Sequence, residues 1–144
     1  MKEKQNCISA CNKLLRGEIS AIETYQQALE KIDDSPRLAV LEEILEDHQK
    51  NTGALRNHIS SMGGIPDTAS GLWGNFARAV EGTAKLLGDS ATITALKQGE
   101  EHGIDEYRTA LNDPNVMAEA KVMFRDVLIP RLQKHVTQLE RLTA

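Results

Sequence analysis

Aromatic residues are scarce in this sequence, at 3% of 144 residues. A core must therefore be built from Leu, Ile, Val, Met and Ala, which favours helices because strands draw on aromatic and β-branched residues. The sequence also lacks any apolar run long enough to span a bilayer. It has no phosphate-cradling glycine-rich loop and no nucleophile elbow, which argues against the common hydrolases and transferases.

The sequence has fewer basic than acidic residues, which gives a net charge of −4 and a pI of about 5.6. This balance argues against a basic nucleic-acid-binding surface, so we expect neither nucleic acid nor membrane among the partners. The opening residues, MKEKQNCISA, carry charge without the apolar segment of a secretory signal, and we expect a cytoplasmic protein. The length suits a single domain over residues 1–144.

The sequence has two cysteines, Cys7 and Cys11, which lie one helical turn apart. A pair within one helix is a poor structural disulfide because the bond geometry is demanding. Free cysteines are among the most buried residue types, so the pair is interpreted as small residues on a buried face. A metal or redox role is the alternative.

One segment occurs twice, at a constant offset of 82 residues: residues 17–29 are GEISAIETYQQAL and residues 99–111 are GEEHGIDEYRTAL. The matched positions include Glu18 with Glu100 and Tyr25 with Tyr107. Because polar and apolar positions match at a single offset, we predict two related halves.

Apolar residues at alternating steps of three and four predict four long helices. They span approximately residues 3–32, 36–62, 91–111 and 114–142, the last beginning at Pro114 or a few residues later. Tight turns with proline join the first helix to the second and the third to the fourth, so each pair should form an antiparallel hairpin.

Three features mark the ends and breaks of these helices. Ser35 is expected to cap the second helix and Gly63 to end it in a left-handed conformation. Pro130 falls inside the fourth helix and should kink it or open one turn, because proline lacks an N–H.

A long connection, residues 63–90, joins the two hairpins. Its first part is predicted to be loop, and the segment with Trp73 and Phe76 is predicted to be a short amphipathic helix that packs as a lid. The sequence thus predicts an all-α four-helix bundle made of two helical hairpins joined by a long crossover containing a short helix.

Each predicted helix places one ionisable residue in its apolar stripe: Glu18, His48, Glu100 and His135. An unpaired buried carboxylate costs several kcal/mol, so these residues need each other or a shared cation. Two Glu and two His suit Fe, Mn or Zn better than Ca or Mg. These four residues are the candidate metal ligands.

The alternative is a hydrogen-bonded polar layer without metal, in which Tyr25 and Tyr107 donate to Glu–His pairs and the layer fixes the register of the helices.

Counting residues from the turns tests whether the four side chains meet. Glu18, His48 and Glu100 lie about 21–24 Å from the turns, near the middle of the bundle. His135 overshoots that level by about 10 Å if the fourth helix starts at Pro114. A later start, or a bulge near Pro130, would reduce the difference.

Other polar and charged helix residues are expected to lie on solvated faces. This class contains Glu42, Glu43, Glu46, Asp47, His58, Gln98, Glu101, His102 and Glu106.

The ordered set of features resembles one uncharacterised family of bacterial four-helix bundles in the ferritin-like superfamily. The resemblance covers nearly the whole chain. It is carried by the duplicated GE-x-x-x-I-[ED]-x-Y-x-x-AL pattern, the histidines of the second and fourth helices, and the Gly-Gly-x-Pro link into a Trp-containing short helix. It implies an up-down-down-up bundle with a long crossover.

In the wider superfamily, a di-iron or di-manganese centre uses one Glu on each of two helices and a Glu-x-x-His on each of the others. By resemblance, Glu18 and Glu100 match the single glutamates, and His48 and His135 match the histidines. The bridging glutamates are replaced by Leu45 and Leu132. The resemblance therefore implies a single ion, or none, rather than a two-metal centre.

Two functions stay open from the sequence. The first is a metal-binding ferritin-like protein in metal handling or the response to oxidative stress. The second is a non-catalytic bundle, a structural or interaction protein that forms a homodimer, with its lid as an interface. No catalytic residue is assigned.

Overall fold

The computed structural model describes residues 2–71 and 88–143. Its helices are α1 (Lys2–Lys31), α2 (Ser35–Ser61), α3 (Asp89–Leu111), α4 (Ala118–Met123) and α5 (Ile129–Thr143), with a π-helix (Phe124–Leu128) between α4 and α5. Because α4, the π-helix and α5 are continuous, they form the fourth long helix. The predicted all-α four-helix bundle is confirmed, while the predicted lid with Trp73 and Phe76 lies outside the described residues.

The bundle consists of two hairpins. α1 packs mainly on α2 and α3 mainly on α5, and the hairpins meet where α1 contacts α3 and α2 contacts α5. Across residues 2–71 and 88–143, no helix has both the length and the apolar character required to cross a membrane.

The core contains two separate apolar clusters. One lies towards the end of the bundle that holds Cys7, Leu55 and Phe124, and the other contains Ile32, Ile93 and further residues near the α1–α2 turn. On every long helix the residues of the two clusters are separated by a short stretch, and these stretches lie at the same height along the bundle. The four ionisable residues singled out from the sequence occupy that level, so the apolar clusters enclose them from both ends.

The end of α2 is a Schellman motif, in which Gly64 N–H donates to Ile59 O (2.9 Å) and Gly63 N–H to Ser60 O (3.0 Å). Gly63 has φ = +81°, so the predicted left-handed cap is confirmed. The start of α2 differs from the prediction. The helix begins at Ser35, and the preceding Asp34 occupies the N-cap without a side-chain cap hydrogen bond.

The fourth helix begins late and contains a wider turn directly before Pro130. It starts at Ala118, and Ile129 N–H donates to the carbonyl of Phe124, closing a π turn. Since Pro130 has no N–H to donate to the preceding turn, an opened turn is the expected accommodation. Both features shorten the distance between the start of this helix and His135 along the bundle axis.

The cysteines are buried free thiols, as the favoured interpretation of the sequence holds. Cys7 and Cys11 are each 0% exposed and are not joined by a disulfide. Burial, together with the neighbouring Cys7, raises the pKa of Cys11 to about 12.

The Schellman motif predicts opposite effects for two glycine substitutions in α2 and its cap. A Cβ added at Gly63 or at Gly53 meets no atom within 4 Å, so the effect of each substitution on stability depends on the backbone conformation alone. Gly63→Ala should lower the free energy of unfolding by about 1–2 kcal/mol because φ is positive. Gly53→Ala, in the helix interior, should raise it by about 0.5–1 kcal/mol. Urea denaturation measures both, and equal effects would contradict the assigned cap.

Candidate metal centre

The four ionisable residues of the predicted stripes meet in the middle of the bundle. Glu18 comes from α1, His48 from α2, Glu100 from α3 and His135 from α5, and they are between 0% and 4% exposed. His135 reaches the common level, and its ring centroid lies 5.0 Å from that of His48.

His48 connects the two glutamates. Its Nδ1 lies 2.5 Å from Glu18 Oε2, and its Nε2 lies 2.7 Å from Glu100 Oε1. Because ionised carboxylates only accept hydrogen bonds, both ring nitrogens donate and His48 is an imidazolium. Burial alone would lower the pKa of His48, but the charges of Glu100 and Glu18 and their hydrogen bonds raise it well above its ordinary value.

Glu100 responds in the opposite direction. Burial alone would raise the pKa of Glu100, but the charge of His48 and the contacts with both imidazoles lower it to about 2. The metal-free protein therefore holds an ionised carboxylate deep in its core.

His135 is oriented by an aspartate at the edge of the core. Its Nε2 donates to Asp47 Oδ2 (2.8 Å), and the opposite nitrogen, Nδ1, lies 3.2 Å from Glu100 Oε1. Burial would raise the pKa of Asp47, but the hydrogen bond and charge of His135 lower it.

The contact between His135 and Glu100 lacks a hydrogen bond. Among the described residues, His135 Nδ1 and Glu100 Oε2 are buried atoms without a hydrogen-bond partner. Nε2 of His135 is bonded to Asp47, and Nδ1 faces the Glu100 carboxylate without a hydrogen bond. These two unpaired atoms are the ones in the layer that could ligate a cation.

Each tyrosine of the duplicated segment donates to the glutamate of the other copy. Tyr25 donates to Glu100 Oε1 (2.8 Å), and Tyr107 donates to Glu18 Oε1 (2.6 Å). α1 and α3 run antiparallel, since the start of α1 and the end of α3 belong to one apolar cluster. Burial, followed by the glutamate that each contacts, raises the pKa of both tyrosines well above the ordinary value, so both stay protonated donors.

A further pair of residues supports Glu18. Asn51 Nδ2 lies 3.3 Å from Glu18 Oε1, and Arg131 Nη1 donates to Asn51 Oδ1 (3.0 Å). The sequence interpretation does not include Asn51, although its position three residues after His48 puts both on one helix face.

Three of the four predicted ligands can reach one ion. Ligand atoms of His48, Glu100 and His135 lie within 4.8 Å of one another. Glu18 instead holds the far nitrogen of His48. The contacts of 2.7 and 3.2 Å are close to the separation of about 3.0 Å between adjacent ligands of an octahedral ion with bonds of about 2.1 Å. The residues present therefore fit a single ion.

A second ion does not fit. The positions of the bridging glutamates hold Leu45 and Leu132, and Leu132 is buried at 2% exposure. Its Cδ2 would lie 3.0 Å from a Cβ added at Gly103, so it packs closely on α3. Hydrocarbon thus occupies the place where a dinuclear centre requires a carboxylate.

Two residues assigned to solvated faces from the sequence lie elsewhere. The Asp47 side chain is 16% exposed and bonds to His135. His58 is half-buried, a ring nitrogen of it lies near Cys7 and Cys11, and its Nε2 is enclosed. For His58 a signal was available: it stands three residues after Leu55 and four before Met62, both members of the predicted stripe.

The hairpin pair and its interior polar layer define a ferritin-like bundle. A crystal structure described as ferritin like, diiron-carboxylate proteins from Bacillus anthracis str. Ames matches it with a TM-score of 0.76 and 22% identity, over 100% of this chain and 99% of the other. Residues 6–113 match the model of a domain of unknown function, DUF2383, and the chain belongs to that family. No curated protein matches the chain.

The bridging imidazolium predicts how the stability of the metal-free protein depends on pH. The pKa of Glu100 is about 2 in the folded protein and 4.5 ordinarily, so the stability that ionised Glu100 adds to the folded state is lost as pH falls below 4.5. The pKa of His48 is raised above 6.5 in the folded protein. The stability that protonated His48 adds is therefore present below pH 6.5 and is lost as pH rises through the pKa of His48 in the folded protein. The free energy of unfolding should therefore be greatest between pH 4.5 and 6.5.

Urea denaturation of chelator-treated protein from pH 3 to pH 9 measures this profile. His48→Gln should lose the alkaline decline, while His102→Gln, at an exposed histidine, should retain it. A wild-type profile that is flat above pH 6.5 would contradict a doubly bonded His48.

Proposed function

We propose that this protein binds one divalent transition-metal ion, Fe, Mn or Zn, between His48, Glu100 and His135, and that it serves in metal handling or in the response to oxidative stress. The observation that carries the proposal is the pair of buried acceptors without hydrogen bonds, His135 Nδ1 and Glu100 Oε2. Two histidines and one carboxylate form a donor set that suits non-haem iron with open coordination positions.

The surroundings of the two imidazoles support this assignment. Metal-binding histidines usually donate their other ring N–H to a carboxylate or a carbonyl. Glu18 accepts from Nδ1 of His48 and Asp47 accepts from Nε2 of His135, which leaves Nε2 of His48 and Nδ1 of His135 directed at Glu100. Both histidines are thus oriented with the nitrogen opposite the supporting carboxylate directed at Glu100.

The chain's own residues would hold and shield the ion. Tyr25 keeps a hydrogen bond on Glu100, and the apolar clusters on either side limit the access of water. A cavity of about 50 Å³ beside the layer, lined by Gly17, Gly99 and Tyr107 among others, has room for a small exogenous ligand. Bound iron or manganese would supply redox chemistry. The B. anthracis proteins are described as diiron-carboxylate, which supports metal use within this fold.

One observation favours a second candidate function. His48 already satisfies Glu18 and Glu100 with two short hydrogen bonds, as a metal-free polar layer would. In that case the protein is a structural or interaction bundle, which we then propose to be a homodimer, and the layer fixes the register of its helices.

Removal of the central carboxylate separates the two candidates. Chelator-treated protein titrated with Mn²⁺ should bind one ion per chain, detected by the loss of the free-ion paramagnetic resonance signal. Mn²⁺ is the probe because it prefers carboxylate oxygen to thiolate sulfur. Glu100→Gln should weaken binding by more than about 100-fold, the upper end of outer-shell effects.

The matched control is Glu101→Gln, at the exposed neighbouring glutamate, which should bind as the wild type does. If Mn²⁺, Fe²⁺ and Zn²⁺ all fail to bind at one ion per chain, or if Glu100→Gln does not weaken their binding, the layer is a metal-free polar layer instead.

The role of Asp47 gives a second test. If Asp47 orients His135 towards an ion, Asp47→Asn should weaken Mn²⁺ binding by about 10–100-fold. Glu46→Gln, at an exposed carboxylate one residue away, should leave the affinity unchanged. Equal affinities of the two variants would show that His135 is not a ligand positioned by Asp47.

A further inference from the structure

A second group of potential ligands lies near one end of the α1–α2 hairpin. Cys7 and Cys11 of α1 and His58 of α2 have ligand atoms within 4.8 Å of one another. Ten residues of α2 separate His58 from His48, which places this group about 15 Å from the core layer. It shares no residue with the proposed core site.

The residues of this group are enclosed, and one polar atom lacks a hydrogen bond. Cys7 and Cys11 are each 0% exposed, and His58 Nε2 is enclosed and has no hydrogen-bond partner among the described residues. Buried imidazole nitrogens are normally paired, so this one requires an explanation. The remaining ring surface of His58 is partly open to solvent, which gives an ion a route to the site.

The backbone already contributes a contact to one sulfur. Met117 N lies 3.4 Å from Cys7 Sγ and donates to it. An N–H directed at sulfur stabilises a thiolate, in the way that outer contacts tune metal ligands. The donor comes from the segment before α4, so the group is enclosed by both hairpins.

We propose that Cys7, Cys11 and His58 bind a Zn²⁺ ion. Thiolate and imidazole are the ligands of zinc sites, with bonds of about 2.3 Å to sulfur and about 2.0–2.1 Å to nitrogen. A tetrahedral ion with these bonds holds its ligand atoms roughly 3.5–3.8 Å apart. The present spacing of at most 4.8 Å requires only small side-chain rotations to reach it.

Charge selects zinc among the ions that accept sulfur. Two thiolates and Zn²⁺ sum to zero, whereas two thiolates and Cu⁺ leave a negative charge among the apolar residues of this cluster. Hard ions such as Mg²⁺ and Ca²⁺ prefer oxygen. Three protein ligands leave the fourth position of Zn²⁺ to water or to another ligand.

Bound zinc would tie the start of α1 to the end of α2. The two helices are otherwise joined covalently only at the opposite end, by residues 32–34. An ion that binds the folded chain stabilises it according to its concentration and affinity. Zinc would therefore raise the midpoint of thermal unfolding.

The test uses reduced, chelator-treated full-length protein titrated with Co²⁺ and then with Zn²⁺. Co²⁺ at this site should give a thiolate-to-metal charge-transfer band, which is lost when Zn²⁺ displaces it. Cys7→Ser with Cys11→Ser should abolish this band and, in a Glu100→Gln background that disables the core site, should abolish the thermal shift by Zn²⁺. His58→Gln should weaken Zn²⁺ binding at least about 10-fold, as expected for a lost ligand.

Two controls keep the result specific. Glu100→Gln, in the core layer, and His102→Gln, at an exposed histidine, should keep the thiolate charge-transfer band. If the double serine variant does not fold, as judged by circular dichroism, His58→Gln alone decides. Three results would overturn the proposal. The wild-type protein could lack the charge-transfer band, it could bind Zn²⁺ with the same affinity as His58→Gln, or it could hold a Cys7–Cys11 disulfide that persists under reducing conditions.

Discussion

The structure depends on satisfying two carboxyl groups that are buried in an apolar core. Glu18 and Glu100 are nearly inaccessible, and an unpaired charge there would cost several kcal/mol. His48, the two tyrosines and Asn51 provide hydrogen bonds for both oxygens of Glu18 and for one oxygen of Glu100. Among the described residues, the other oxygen of Glu100 and Nδ1 of His135 have no hydrogen-bond partner, and the proposal of a cation rests on these two atoms.

The bundle holds this layer in place through features far from it. Apolar clusters enclose the layer from both ends, and the reciprocal tyrosine contacts fix α1 against α3. The late start of the fourth helix and its π turn bring His135 level with the other residues. Leucines where a dinuclear centre needs glutamates leave the proposed site suited to one ion rather than two.

Much of the fold and part of the site can be predicted from the sequence. Periodicity gives the helices, and a polar residue in an apolar stripe identifies each of Glu18, His48, Glu100 and His135. Asp47 escapes this approach because it flanks the stripe, so only the rotation of α2 against its neighbours decides what it contacts. His58 could have been found, since it stands at helical spacing from Leu55 and Met62 of the same stripe. Glu100 is a candidate ligand while Glu18 holds the far nitrogen of His48. This difference depends on which ring nitrogen of His48 faces which carboxylate, and the spacing of residues in the sequence does not reveal it.

Anomalous diffraction from crystals grown with Mn²⁺ tests the central claim most directly, because it locates the ion rather than counting it. We expect one anomalous peak, bonded to His48 Nε2, His135 Nδ1 and the Glu100 carboxylate, with Glu18 and Asp47 on the far nitrogens of the two rings. A density map without a peak at this position, with His48 still donating to both glutamates, would contradict the metal site and leave a polar layer. Two peaks would contradict the restriction to a single ion.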